Sequence, residues 1–131
     1  MRILIDTHVL LWYLDGDRRL SPSIFSIIDN DENDVIISVV SLWEFTIKFS
    51  LGKLELKKPV TLDDIKRYIE SRDVKVLDID FDSLVTLFQL PYQDDHGDPF
   101  DRMIIAQAIC KGLTVVSVDK RFKQYPINLI G

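Results

Sequence analysis

Short apolar runs separated by segments of helical period constrain this chain more than any other feature. Ile3–Ile5 and Val35–Val40 are such runs, and Val74–Ile79, Leu113–Val118 and Ile127–Ile130 are further short strands. Apolar residues that do not alternate with polar ones mark strands buried on both faces, as in a parallel sheet. Helical segments fill the gaps. His8–Leu14 stops at Asp15-Gly16-Asp17, and Ser21-Pro22 is an N-cap and N1 pair opening a helix to about Asn30. A helix is predicted from Ser41 to Leu51, ended by Gly52, and Thr61-Leu62-Asp63-Asp64 is a capping-box pattern opening a helix to about Arg72. Phe81–Leu90 is closed by Pro91, and Asp98-Pro99 opens a helix that ends at Lys111-Gly112. Strands alternating with helices predict an α/β fold whose parallel sheet is covered on both faces. With 131 residues, 47% hydrophobic and 28% charged, the chain is expected to form a single domain over residues 1–131, not a disordered one.

Charge and cysteine content narrow the function classes. Sixteen Lys plus Arg against twenty-one Asp plus Glu leave a net charge of −5, unlike a purely electrostatic nucleic-acid binder. A nucleic-acid substrate would then need local basic patches or bound cations. The single cysteine, Cys110, excludes a disulfide framework within the chain and reads as an inert thiol in an apolar helix. A reducing, cytoplasmic setting is the simplest fit. No apolar run approaches the 18 or more residues of a membrane helix. Met1-Arg2-Ile3-Leu4-Ile5 could open a signal peptide, but Asp6 and His8 interrupt it, so the chain is read as folded from its first residues.

In doubly wound sheets, ligands bind outside the carboxyl ends of the strands, which directs attention to the acids there. Asp6 follows the first strand and Asp119 follows Leu113–Val118. Glu44 is expected in the first turn of the Ser41 helix, and Asp98 and Asp101 in the first turn of the Asp98 helix. Each has an ordinary capping role available. Asp6, Asp98 and Asp119 suit N-caps, Ser41-Leu42-Trp43-Glu44 is a capping box, and Asp101 suits the positive end of its helix. Together they suggest more. Glu44 sits among Leu42, Trp43, Phe45 and Ile47, where a carboxylate is costly to bury unless paired or metal-bound. Carboxylates gathered at one sheet edge repel one another, and a divalent cation offsets that repulsion. Oxygen-only ligands suit Mg²⁺ or Mn²⁺, ions that activate water and neutralise charge in phosphoryl transfer.

Four stretches carry a family resemblance: Ile3-Leu4-Ile5-Asp6-Thr7, Ser38-Val39-Val40-Ser41-Leu42-Trp43-Glu44, His96-Gly97-Asp98-Pro99-Phe100-Asp101-Arg102 running on to Ala108, and Val116-Ser117-Val118-Asp119. In order and spacing the chain resembles the PIN-domain ribonucleases, and among them the VapC-like toxins of bacterial type II toxin–antitoxin pairs. The resemblance implies a three-layer α/β/α sandwich with a central parallel sheet, and Mg²⁺- or Mn²⁺-dependent endonuclease cleavage of RNA. It also implies a homodimer held inactive by a small cognate antitoxin. By the same resemblance Asp6, Glu44 and Asp101 match the invariant acids and Asp119 a fourth, more variable one. Thr7 and Ser117 match supporting hydroxyl positions. Asp98 is an extra carboxylate of this subgroup, with helix capping favoured over metal contact.

Other residues keep two readings. His96 is an ordinary loop histidine or a group near the substrate phosphate. His8 is expected to pack or cap in the first helix. Arg102 pairs with Asp98 or Asp119, or is solvated. Lys48, Lys53, Lys57 and Lys58 form a solvated rim or a basic edge guiding RNA. Among Trp12, Tyr13, Trp43, Phe45 and Phe49, most are expected in the core and some in a groove for a partner helix or a dimer contact. A non-catalytic acidic α/β module is the competing class, either a phosphoacceptor domain or an RNA-binding PIN fold. The former needs an Asp ending the central strand and a Lys ending the last, but Val35–Val40 runs into Ser41 and no Lys ends Leu113–Val118.

Overall fold

The structure, a computed structural model, describes residues 1–54, 58 and 60–131. Five strands form one parallel sheet: β1 (Arg2–Ile5), β2 (Asp34–Ser38), β3 (Lys75–Leu77), β4 (Thr114–Val116) and β5 (Asn128–Ile130). Their spatial order is β3-β2-β1-β4-β5. The chain winds outward from β1 through β2 to β3, then returns to the other side of β1 for β4 and β5. The winding therefore reverses beside β1, and a crevice opens there at the carboxyl ends of β1 and β4.

Six helices cover the sheet: α1 (Thr7–Asp15), α2 (Pro22–Asp29), α3 (Val39–Ser50), α4 (Leu62–Ser71), α5 (Phe81–Gln89) and α6 (Pro99–Lys111). Successive strand residues point to opposite faces, so each strand feeds two cores. Ile3, Ile5, Ile37 and Val116 pack with Leu10, Ile24, Ile65 and Tyr68 of α1, α2 and α4. Leu4, Ile36 and Val115 pack with Ile104, Ile105 and Ala108 of α6 and with Leu87 of α5. The result is the three-layer α/β/α sandwich.

Several boundaries differ from the sequence reading. The strands after the first are shorter than their apolar runs, because Val39 and Val40 already belong to α3, and Leu113 and Val118 lie outside β4. The N-cap of α3 is Ser38, whose hydroxyl accepts from Val40 N–H at 3.0 Å. Apolar β-branched residues continue past Ser38, so the run itself hides the cap. Ser38 also donates to Gln107 Oε1 at 2.6 Å, while Gln107 Nε2 donates to the Asp78 carbonyl at 3.2 Å. This buried amide ties α6 to the carboxyl ends of β2 and β3. Gly112 ends α6 in the left-handed region at φ 65°, where a residue with a Cβ is strained.

Candidate active site

Each acid reaches the crevice by a separate local device. Asp6 N-caps α1, its Oδ1 accepting from Val9 N–H at 2.9 Å, and its Oδ2 accepts from the Ser117 hydroxyl. Glu44 lies in the second turn of α3, since the helix starts two residues before the predicted Ser41. The capping box expected between Ser41 and Glu44 does not form. Glu44 Oε1 instead accepts from the Thr7 hydroxyl at 2.7 Å and Oε2 from Lys48 Nζ at 2.7 Å. Asp98 N-caps α6, accepting from Asp101 N–H at 3.0 Å, so its capping role is seen directly. Asp119 caps the 3-10 turn Lys120–Gln124, and Arg121 grips both its oxygens, at 3.1 Å and 2.7 Å.

These side chains line one cavity of about 300 Å³: Asp6, Glu44, Asp98, Asp101 and Asp119, with the cations Lys48 and Arg121 among them. Burial strips water from Asp6 and pushes its carboxyl up to about 6, helped by the charges of Glu44 and Asp119 and opposed by the bonds from Ser117 and Val9. Burial also raises Asp101 to about 6, against the bond from His96. Asp119 moves the other way, because the Arg121 guanidinium holds it below the usual carboxylate range.

Thr7 and Ser117 do support the acids: each hydroxyl donates to a site carboxylate. His96 does not face the cavity. It is buried at 1% exposure, its Nε2 is 2.9 Å from Asp101 Oδ2 and its Nδ1 is 2.8 Å from the Tyr125 hydroxyl. It orients Asp101 from behind, and a role as an open contact to a substrate phosphate does not fit that burial. Both readings of Arg102 are overturned. It is neither solvated nor paired with Asp98 or Asp119. It is buried, donates to the carbonyls of Pro91 and Leu90 at 3.0 Å and 2.7 Å, and stacks under the Tyr92 ring. One helical step separates Asp101 from Arg102, so when Asp101 points to the crevice Arg102 points into the fold. His8 is exposed and lines the cavity, in an edge-type ring contact with Trp12. Trp43 and Phe49 are exposed, whereas Phe45 is core. Lys53 and Lys58 are exposed and Lys57 lies outside the described residues.

Two site partners escaped the sequence reading. Lys48, read as a solvated rim or a basic edge guiding RNA, sits one helical turn from Glu44, an i,i+4 spacing that already signals a pair. Tyr125 carried no local signal, because its bond to His96 spans 29 residues.

The donors present suit a divalent ion. One carboxylate oxygen each of Asp101 and Asp119 lies with a ring nitrogen of His96 in a group whose atoms are all within 4.8 Å of one another, and among the described residues Asp101 Oδ1 has no hydrogen-bond partner. The carboxyls of buried Asp6 and partly buried Asp101, raised by desolvation, regain their charged form when a cation joins them.

Comparison with known proteins follows the same lines. The family model described as PIN domain matches residues 3–128. Ribonuclease VapC22 of Mycobacterium tuberculosis (strain ATCC 25618 / H37Rv) is 28% identical over 123 residues, covering 94% of this chain and 91% of that protein. VapBC2 from Rickettsia felis, bound to a DNA fragment from their promoter, superposes at a TM-score of 0.74 with 18% identity over 99% of this chain and 98% of that one. VapBC-5 from Mycobacterium tuberculosis, a member of the VapBC family of toxin–antitoxin systems, gives 0.58 with 19% identity over 98% and 95%. At such identities the structural likeness is one of fold. No helix among the described residues is long and apolar enough to cross a membrane.

Proposed function

Because this chain belongs to the PIN-domain family, we propose that it is a divalent-metal-dependent endoribonuclease, the toxin of a type II toxin–antitoxin pair. The carrying observation is the convergence of Asp6, Glu44, Asp101 and Asp119, from four separate segments, on one small cavity at the carboxyl edge of the sheet. The similarity to Ribonuclease VapC22 over nearly the whole chain supports RNA as substrate. The likeness to a VapBC toxin–antitoxin member supports a small protein inhibitor. The proposed setting is the cytoplasm, and the proposed assembly is a homodimer with a bound antitoxin. Phe81, Leu84, Val85 and Phe88 form an exposed apolar row along α5, a surface of the kind that protein contacts cover.

In this reading Asp6, Glu44, Asp101 and Asp119 hold Mg²⁺ or Mn²⁺, which supplies an activated water and neutralises charge at the scissile phosphate. The chain's own part is to fix the acids. Thr7 sets Glu44, Ser117 sets Asp6 and His96 sets Asp101, each by a side-chain hydrogen bond. No carboxylate acts as a covalent nucleophile, and hydrolysis leaves 5′-phosphate and 3′-hydroxyl ends. Asp98 and Arg102 stay outside the chemistry, as cap and structural strut.

The test is cleavage of a panel of structured RNAs with Mg²⁺ or Mn²⁺, with Asp101→Asn and Glu44→Gln as controls. Cleavage by wild type, loss in both variants and unchanged circular dichroism are expected. Full activity in either variant removes that residue from the site. Growth arrest on expression, rescued by the small protein of a neighbouring gene, is the matching test in cells. A harmless protein that cuts no RNA refutes the toxin reading.

A further inference from the structure

The four proposed metal-binding acids fall into two pairs by what holds them. Asp6 and Asp101 are held by neutral donors of the backbone and of Ser117, and by the His96 ring. Glu44 and Asp119 each carry one of the chain's own cations. Lys48 Nζ lies 2.7 Å from Glu44 Oε2, and Arg121 Nη2 lies 2.7 Å from Asp119 Oδ2. Both cations line the cavity together with the acids. Glu44 is buried, with its side chain 4% exposed, whereas the Lys48 side chain is 33% exposed and that of Arg121 46% exposed.

We propose that Lys48 and Arg121 are the phosphate-contacting residues of this site, serving as counter-ions of Glu44 and Asp119 until a divalent ion takes their place. The inference rests on the metal-nuclease reading above and adds the residues that grip RNA. Both Glu44 oxygens are already engaged, one by Thr7 and one by Lys48. A divalent ion and an ammonium compete for the same Oε2 lone pairs, and like charges at such a distance repel strongly. The ion therefore displaces Lys48, and the half-exposed Arg121 is displaced from Asp119 in the same way. Each freed cation remains tethered at the cavity wall, where the nearest new anion is the substrate phosphate. The lysine meets it as a mobile point charge and the arginine as a two-pronged fork. An acidic chain thereby obtains local positive charge at the scissile phosphate without a basic surface. The device also trades one affinity against another: each cation weakens metal binding and strengthens RNA binding.

Lys48→Met, which keeps the stem and removes the charge, separates these roles. Mn²⁺ binding is read by electron paramagnetic resonance of the free ion. RNA binding is read at saturating Mn²⁺ by fluorescence anisotropy of a single-stranded RNA with phosphorothioate linkages. The Mn²⁺ Kd is expected to fall about tenfold and the RNA Kd to rise about tenfold, the worth of one charge-assisted hydrogen bond. Lys48→Arg is expected to restore RNA binding. A merely structural lysine would move both affinities in the same direction, and that result overturns the proposal. So does an Mn²⁺ affinity that Lys48→Met leaves unchanged while wild type binds the ion, which leaves the metal reading standing. If wild type binds no Mn²⁺, the metal reading itself falls and the proposal with it. Circular dichroism checks folding, and Lys48→Gln and Arg121→Met carry the same test if Lys48→Met does not fold.

Discussion

Asp6→Asn is expected to make the chelated protein more stable at neutral pH and no more stable at pH 4. Asp6 is 4% exposed and its carboxyl is raised from 3.8 to about 6, chiefly by burial. The folded state therefore holds a proton that the unfolded chain releases earlier. Stability is greatest below about pH 4, falls as pH rises toward 6, and stays reduced above it. Two pKa units correspond to about 3 kcal/mol at pH 7.5. The amide removes that cost but has one acceptor oxygen where the carboxylate uses two, for Val9 and Ser117. Losing one of these bonds costs about 1 kcal/mol. The net gain is about 2 kcal/mol, or about 6–8 °C in melting temperature for a domain of this size. At pH 4 only the lost bond remains, so the variant should melt slightly below wild type. Melting curves from pH 4 to 8 with chelator test this, and millimolar Mn²⁺ should reverse the order by stabilising wild type more. A variant that melts below wild type at every pH refutes the reasoning and leaves Asp6 as a structural cap.

Asp98→Asn should retain RNA cleavage within about twofold and lose less than 0.5 kcal/mol, because Asn caps a helix as well as Asp, whereas Asp98→Ala should lose about 1 kcal/mol in a denaturant titration. Arg102→Met should lower stability by about 2–4 kcal/mol, because it leaves the Leu90 and Pro91 carbonyls without their donors and removes the stack on Tyr92, and a shift under 1 kcal/mol would show that the strut is dispensable. Tyr125→Phe removes the hydroxyl behind His96 and should weaken Mn²⁺ binding severalfold without a change in fold, whereas unchanged affinity would show that His96 is held well enough by packing alone.

What the sequence made legible follows physical range. The β-branched runs at Val35 and Leu113 announced buried strands, because a residue needs only its own type and neighbours to show that it shuns water. Asp98-Pro99 and Ser21-Pro22 announced helix starts for the same reason: the cap and the proline act within one turn, and both caps form. The start of α3 was hidden because Val39 and Val40 satisfy the strand pattern and the helix core alike. Ser38 caps the helix while donating its hydroxyl proton to Gln107, 69 residues away, a partner no local pattern shows. Arg102 was misplaced for a related reason. Its charge suggested solvent or a nearby acid, and only the path of the loop at Leu90 and Pro91 supplies two carbonyls in the interior.

The acids themselves show why a local reading and a functional one coincide here. Asp6 and Asp98 are N-caps in the ordinary sense, and Asp119 caps a 3-10 turn. Capping fixes a carboxylate at a helix start, and in a parallel sheet the helix that follows a strand starts at that strand's carboxyl end. A cap at such a place is therefore already at the edge where ligands bind. Asp6 uses one oxygen for Val9 and turns the other to Ser117 across the strand gap. Glu44 caps nothing and, 3% exposed, is held among the described residues by hydrogen bonds from Thr7 and Lys48. A buried acid with no structural task is the costliest of the set to retain, since an amide or an apolar residue would pack there without a charge. That makes Glu44 the strongest single argument that the cluster exists for its chemistry and not for its helices.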